Sequence, residues 1–68
     1  MKRYEVCVRG ATRESVVDAF EDLEVSSGPD GLVMVGQLAD QAALFGILTR
    51  IRELGLELIW TEVSEMSG

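Results

Sequence analysis

Between Asp40 and Gly55 the chain places Ala43, Leu44, Ile47, Leu48, Ile51 and Leu54 at i, i+3, i+4 spacing. That spacing lays one continuous apolar stripe along a helix. Such a segment gains most of its stability by laying the stripe on another apolar surface. Asp40 is placed to accept from the free amides of the first turn. Gly55 stands where a left-handed residue closes a helix, with Leu56 positioned to fold back onto Ile51. The pattern predicts a helix over Gln41 to Leu54, and the rest of the chain must supply the surface it covers.

Strands are the natural suppliers. From Arg3 to Arg9 the residues alternate, with Tyr4, Val6 and Val8 on one side and Arg3, Glu5, Cys7 and Arg9 on the other, the signature of a half-buried strand. Leu32 to Gln37 is continuously apolar at its start, which suits a central strand. Its parity stays open: either Val33 and Val35 or Leu32 and Met34 face away from the helices. Leu23 to Ser27 reads as a short strand, joined to it by the turn-rich Ser26-Ser27-Gly28-Pro29-Asp30-Gly31 as a hairpin. Leu56 to Val63 alternates again, with Leu56, Leu58 and Trp60 expected inward and Glu57, Ile59, Thr61 and Val63 on the far side. A first helix is expected over Arg13 to Asp22, capped by Thr12 and carrying Val16, Val17, Phe20 and Leu23 inward.

The resulting order, βαββαβ, is two right-handed βαβ units. The expected fold is therefore α+β: a ferredoxin-like sandwich whose four-stranded antiparallel sheet has the order 4-1-3-2, with two helices on one face. Residues 1–64 form one domain and 65–68 a frayed tail. The second face of the sheet is left without a cover.

At 68 residues the chain is near the lower limit for a self-sufficient core. Small scaffolds usually add a disulfide, a metal or a second subunit. One cysteine, Cys7, and no histidine leave the first two without material, so self-association is the expected aid. Twelve acidic residues against six basic ones, a net charge of −6, argue against nucleic acid, whose binding draws on phosphate neutralisation by Lys and Arg. The N-terminus lacks a signal-peptide pattern, and no apolar run is long enough to cross a membrane. A lone thiol fits the cytoplasm, and no cofactor signature is present.

The stretch from Val35-Gly36-Gln37-Leu38-Ala39-Asp40 through Leu48, with Arg50-Ile51-Arg52-Glu53-Leu54-Gly55-Leu56-Glu57-Leu58, resembles a segment of short, uncharacterised bacterial proteins. The resemblance implies a bacterial origin and a ferredoxin-like fold, and carries no activity. The element order is also similar to that of ACT-type regulatory domains, which pair through sheets or helices and bind amino acids at the interface. Three other families with this topology fail on residues. The chain has no asparagine for an acylphosphatase and one cysteine where copper chaperones need two. Tyr4 is the only aromatic on the central strands where RNA-recognition domains stack bases, and it is expected to point inward.

Two surfaces are candidates for contact with another protein. The outer side of the second helix carries Ala42, Phe45, Gly46 and Thr49, where small residues permit close approach and an aromatic can anchor. The uncovered sheet face carries Cys7, with Ile59 expected opposite it and Thr61 opposite Glu5, while Glu57 is expected opposite Arg9. The expected function is a non-enzymatic protein-interaction or oligomerisation module, acting as a homodimer or with another protein. The alternative is an amino-acid sensor of the ACT kind, with its pocket at a subunit seam near Gly10 and Asp40. General acid–base chemistry would rest on Asp and Glu alone, and nothing in the spacing pairs them.

Overall fold

A computed structural model describes residues 2–38 and 40–65, Leu38 by its backbone alone. The elements are β1 (Lys2–Arg9), α1 (Arg13–Ala19), β2 (Glu24–Ser27), β3 (Leu32–Leu38), α2 (Gln41–Glu53) and β4 (Glu57–Glu65). The four strands form one antiparallel sheet in the order β2-β3-β1-β4. Of the tail expected over 65–68, Glu65 belongs to β4 and residues 66–68 lie outside the described residues. Among the described residues no helix is long and apolar enough to cross a membrane.

The helix ends follow their local chemistry. Thr12 Oγ1 accepts from the Ser15 amide at 3.2 Å and Asp40 Oδ1 from the Ala43 amide at 2.9 Å, each satisfying a first-turn donor. At the end of α2 the Leu56 amide donates to the Ile51 carbonyl and the Gly55 amide to the Arg52 carbonyl. Gly55 has φ +73°, completing the paired-bond closure expected from the Gly-Leu step. The first helix stops at Ala19, short of the expected Asp22. Phe20 leaves the helical conformation (φ −128°, ψ 64°) and its side chain is buried, while Val17 is exposed.

Register settles the parity of β3. Val8, Val6 and Tyr4 stand opposite Leu32, Met34 and Gly36, whereas Cys7 and Glu5 stand opposite Val33 and Val35. Directly opposed residues share a sheet face. One face, here the Val6 face, therefore carries Leu32 and Met34, and the other, the Cys7 face, carries Val33 and Val35. The buried cluster joins Tyr4, Val6, Val8 and Met34 of the Val6 face to Val16 and Phe20 and to Ile51 of α2. Leu44, Ile47, Leu48 and Leu56 pack against it half-buried. Gly36 is required here: a Cβ on it would lie 2.5 Å from Leu23 Cδ2 and 2.7 Å from the Tyr4 hydroxyl.

The fourth strand departs from simple alternation. Val8 pairs with Leu58, but Cys7 pairs with Trp60, leaving Ile59 as an extra residue in a β-bulge. One inserted residue exchanges the faces of everything beyond it. Leu58 lies on the Val6 face as expected, but Trp60 moves to the Cys7 face, and Thr61 and Val63 move to the Val6 face opposite Val6 and Tyr4. The expected pairs Ile59 with Cys7 and Thr61 with Glu5 are replaced by Trp60 with Cys7 and Glu62 with Glu5. Ahead of the bulge, Arg9 does oppose Glu57.

Candidate interaction surface

The Cys7 face is built from three neighbouring strands. Across its middle run Val33, Cys7 and Trp60, and one step along run Val35, Glu5 and Glu62. Alternation in β1 puts Cys7 on this side, and the Ile59 bulge delivers the indole beside it. Cys7 is 1% exposed yet lies outside the main buried cluster, so a second, smaller buried spot exists on this face. Burial pushes the thiol above its ordinary range, the negative charge of Asp30 adds to this, and Arg9 opposes it. A thiol so placed stays protonated at neutral pH and is a poor nucleophile. Trp60, by contrast, keeps 36% of its surface open.

Charge on this face is unevenly matched. Arg3 Nη2 lies 3.6 Å from Glu5 Oε1. Glu62 stands directly opposite Glu5, and like charges in that relation destabilise a sheet. Among the described residues Glu62 has no ion-pair partner of its own. The aromatic and aliphatic centre is thus flanked by Glu5 and Glu62 on one side and by the Arg9 and Glu57 pair on the other.

The outer side of α2 is the other expected surface. Ala42, Phe45, Gly46 and Thr49 are all exposed, Phe45 at 63%, and a Cβ added at Gly46 would touch nothing. These four residues therefore share one solvent-facing strip, as helical spacing requires. Of the sheet residues expected to join an interface, Cys7 is buried, Ile59 is the half-buried bulge residue, and Thr61 is exposed on the Val6 face. The aromatic that belongs with Cys7 is Trp60, which strict alternation along the strand conceals.

A cleft of about 640 Å³ opens between the end of α1, β3 and α2, lined among others by Tyr4, Asp22, Gly36, Ile47 and Arg50. Tyr4 is buried, and burial together with the nearby charge of Asp22 raises its hydroxyl's pKa. Arg50 stands over the Phe20 ring, 5.7 Å from its centroid, within cation–π range. Gly10 and Asp40 do not meet. Gly10 follows the last residue of β1, while Asp40 lies beyond Leu38, which pairs with Lys2 at the strand's other end. A strand of this length separates them by roughly 25 Å, at about 3.3 Å per residue.

A family model described as "Domain of unknown function (DUF8691)" matches residues 3–62. No curated protein and no solved structure matches the chain.

Proposed function

Because the chain belongs to the DUF8691 family, whose description carries no activity, we propose from its surface that it is a non-enzymatic protein-interaction module. In this reading the fold is ferredoxin-like, both helices cover the Val6 face, and the Cys7 face is left for a second copy or another protein. Support for the layering comes from the buried cluster, in which Val16 of α1 and Ile51 of α2 are grouped with Tyr4, Val6, Val8 and Met34 of the Val6 face. The observation that carries the function is Trp60. A bulge turns this large side chain away from Leu58's face and leaves it partly open opposite Cys7. Partly open apolar centres with a charged rim are typical of contact surfaces. The absence of histidine and the protonated state of Cys7 support a role without catalysis. A cytoplasmic location belongs to the same reading, on the single unpaired cysteine.

The test uses Trp60 as its own reporter, since it is the only tryptophan. Sedimentation equilibrium from micromolar to millimolar concentration reads the oligomeric state, and indole emission reads burial of the face. Association through the sheet shifts emission to the blue in step with mass. The Phe45→Glu variant behaves like wild type if the sheet is used, and loses association if the outer strip of α2 is used. A chain that stays monomeric, and whose indole responds to no protein of its native cell, would sink the reading.

A second reading, amino-acid sensing, is favoured by the cleft. Its volume falls in the range of small-molecule sites, and Arg50 and Asp22 offer opposite charges to a zwitterion. A thermal-shift screen of the amino acids tests it: a ligand must raise the melting temperature in wild type and fail in Arg50→Ala. No shift with any amino acid removes this reading.

A further inference from the structure

We propose that the edge of β4, which is free among the described residues, receives an extended segment of another protein, one in which basic and aliphatic side chains alternate, as a fifth strand. The proposal rests on the interaction-module reading and names its partner. β4 ends the sheet, and beyond the bulge its residues Trp60 to Glu65 continue in regular register with β1. The outward backbone of such a strand is a template for another chain. Between Glu57 and Glu65 there is no lysine, arginine or proline, the residues that most often spoil an edge for pairing.

The side chains state what the added strand should carry. On the Cys7 face β4 offers Glu57, Trp60 and Glu62, two anions and an aromatic surface. A lysine or arginine opposite Glu62 would answer a charge that, among the described residues, stands opposite Glu5, whose own neighbour Arg3 is already engaged. The same cation could lie against the indole. On the Val6 face β4 offers Leu58 and Val63, 46% and 43% exposed, with Thr61 between them, which suits Val or Ile. Strand alternation makes both demands compatible in one segment. A second copy of β4 fits poorly, because it would bring Glu57, Glu62 and Glu65 to the seam and no cation.

The probe is a blocked synthetic peptide of alternating lysine and valine, about eight residues long, an ordinary strand length. Its controls replace lysine by glutamate, or methylate alternate backbone nitrogens. Hydrogen exchange followed by NMR is expected to show outward amides of β4 slowed about tenfold by the lysine peptide and by neither control. Glu62→Lys should weaken the lysine peptide severalfold and favour the glutamate peptide. If the lysine peptide binds without slowing β4 amides but shifts Trp60 emission, the edge proposal falls while the interaction-module reading stands. Slowing of β4 amides by raised protein concentration alone assigns the edge to a second copy and overturns the proposal. No binding by the lysine peptide also overturns it, and the sedimentation experiment then judges the broader reading separately.

Discussion

At one end of the sheet β2 contributes four residues, and at the other β4 contributes nine. β2 is short, follows closely on α1, and lends its Val25 carbonyl to the Arg13 guanidinium at 3.4 Å. Each of these traits discourages a further strand. β4 has a bulge, but it sits near the strand's beginning, and the acidic residues beyond it repel only partners of the same sign. The difference separates two kinds of edge: one is short and has a carbonyl engaged within the chain, and the other, on the edge proposal, is selective. Selectivity of that kind would cost the monomer something, since Glu62 opposite Glu5 is an unfavourable like-charge pair.

If both edges hang on one central core, damage at the centre should loosen them together. Met34 is fully buried and stands between Val25 of β2 and Val6 of β1. Met34→Ala is expected to cost about 2–5 kcal/mol, measured by urea unfolding. Amide exchange in β2 and β4 should accelerate in parallel. Loss of protection at β2 alone would show that the edges are not one cooperative unit, and the comparison would break there.

A smaller effect sharpens the account of β4. Trp60→Ala should cost about 1–2 kcal/mol, because only part of the ring is covered and burial contributes about 25 cal/mol per Å². Its clearer signature is at Cys7, whose reaction with a neutral thiol reagent in native buffer should quicken severalfold once the opposing indole is gone. An unchanged rate would mean that the cover over the thiol comes from elsewhere. A matched pair then compares the edges directly. Val25→Ala, half-buried against the core, is expected to cost about 1 kcal/mol, and Val63→Ala, largely exposed, under about 0.5 kcal/mol. Equal losses would contradict the view of β4 as a strand whose side chains await a partner.

Most of the architecture is legible in the letters because period and punctuation agree. Asp40, the stripe through Ile51 and the Gly55-Leu56 closure each point to the same helix, and alternation from Tyr4 to Val8 fixes which side of β1 joins the main buried cluster. The end of α1 is less legible. Asp22 continues the helical pattern, yet burying Phe20 draws the chain out of the helix after Ala19, a tertiary demand that outweighs local spacing. The bulge at Ile59 leaves only a faint trace. Leu58-Ile59-Trp60 interrupts the alternation with three apolar residues, and Glu62 falls on the parity of Leu56 and Leu58, but only the pairing of β4 with β1 places the extra residue at Ile59. That single residue relocates Trp60, so the expected sheet-side grouping of Cys7, Ile59 and Thr61 gives way to Cys7, Trp60 and Val33. On α2 no such slip intervenes, and Ala42, Phe45, Gly46 and Thr49 fall on one exposed strip as spacing demands.

Titration probes the central strand β1, which carries both Cys7 and Tyr4. The native thiol of Cys7 holds its proton above the ordinary range, owing to burial first, then Asp30, against a smaller opposing pull from Arg9. As pH rises through the unfolded thiol's value of about 8.5, the unfolded chain loses a proton that the native chain retains. The unfolded state then binds fewer protons, so stability falls with rising pH. The loss begins at the unfolded value and levels off once the raised native value is passed. Tyr4, also raised by burial and by Asp22, adds a loss of the same sign at higher pH. Urea midpoints measured across alkaline pH should show both, and Cys7→Ala should abolish the lower step alone. A lower step that survives in Cys7→Ala would assign it to another group.

The smallest expected effect is at the closed edge itself. The bond from Arg13 to the Val25 carbonyl is long and exposed, so Arg13→Ala should lower stability by only about 0.5 kcal/mol or less. Its consequence for pairing should be larger than its consequence for folding. With the guanidinium gone, the Val25 carbonyl is free to accept from an incoming strand, yet β2 still offers only four residues to it. Arg13→Ala is therefore expected to remain as soluble as wild type and to show no slowing of β2 amides with the lysine–valine peptide. If the variant instead gains peptide binding at β2, the guanidinium rather than strand length is what closes that edge. The contrast with β4 would then come down to one side chain.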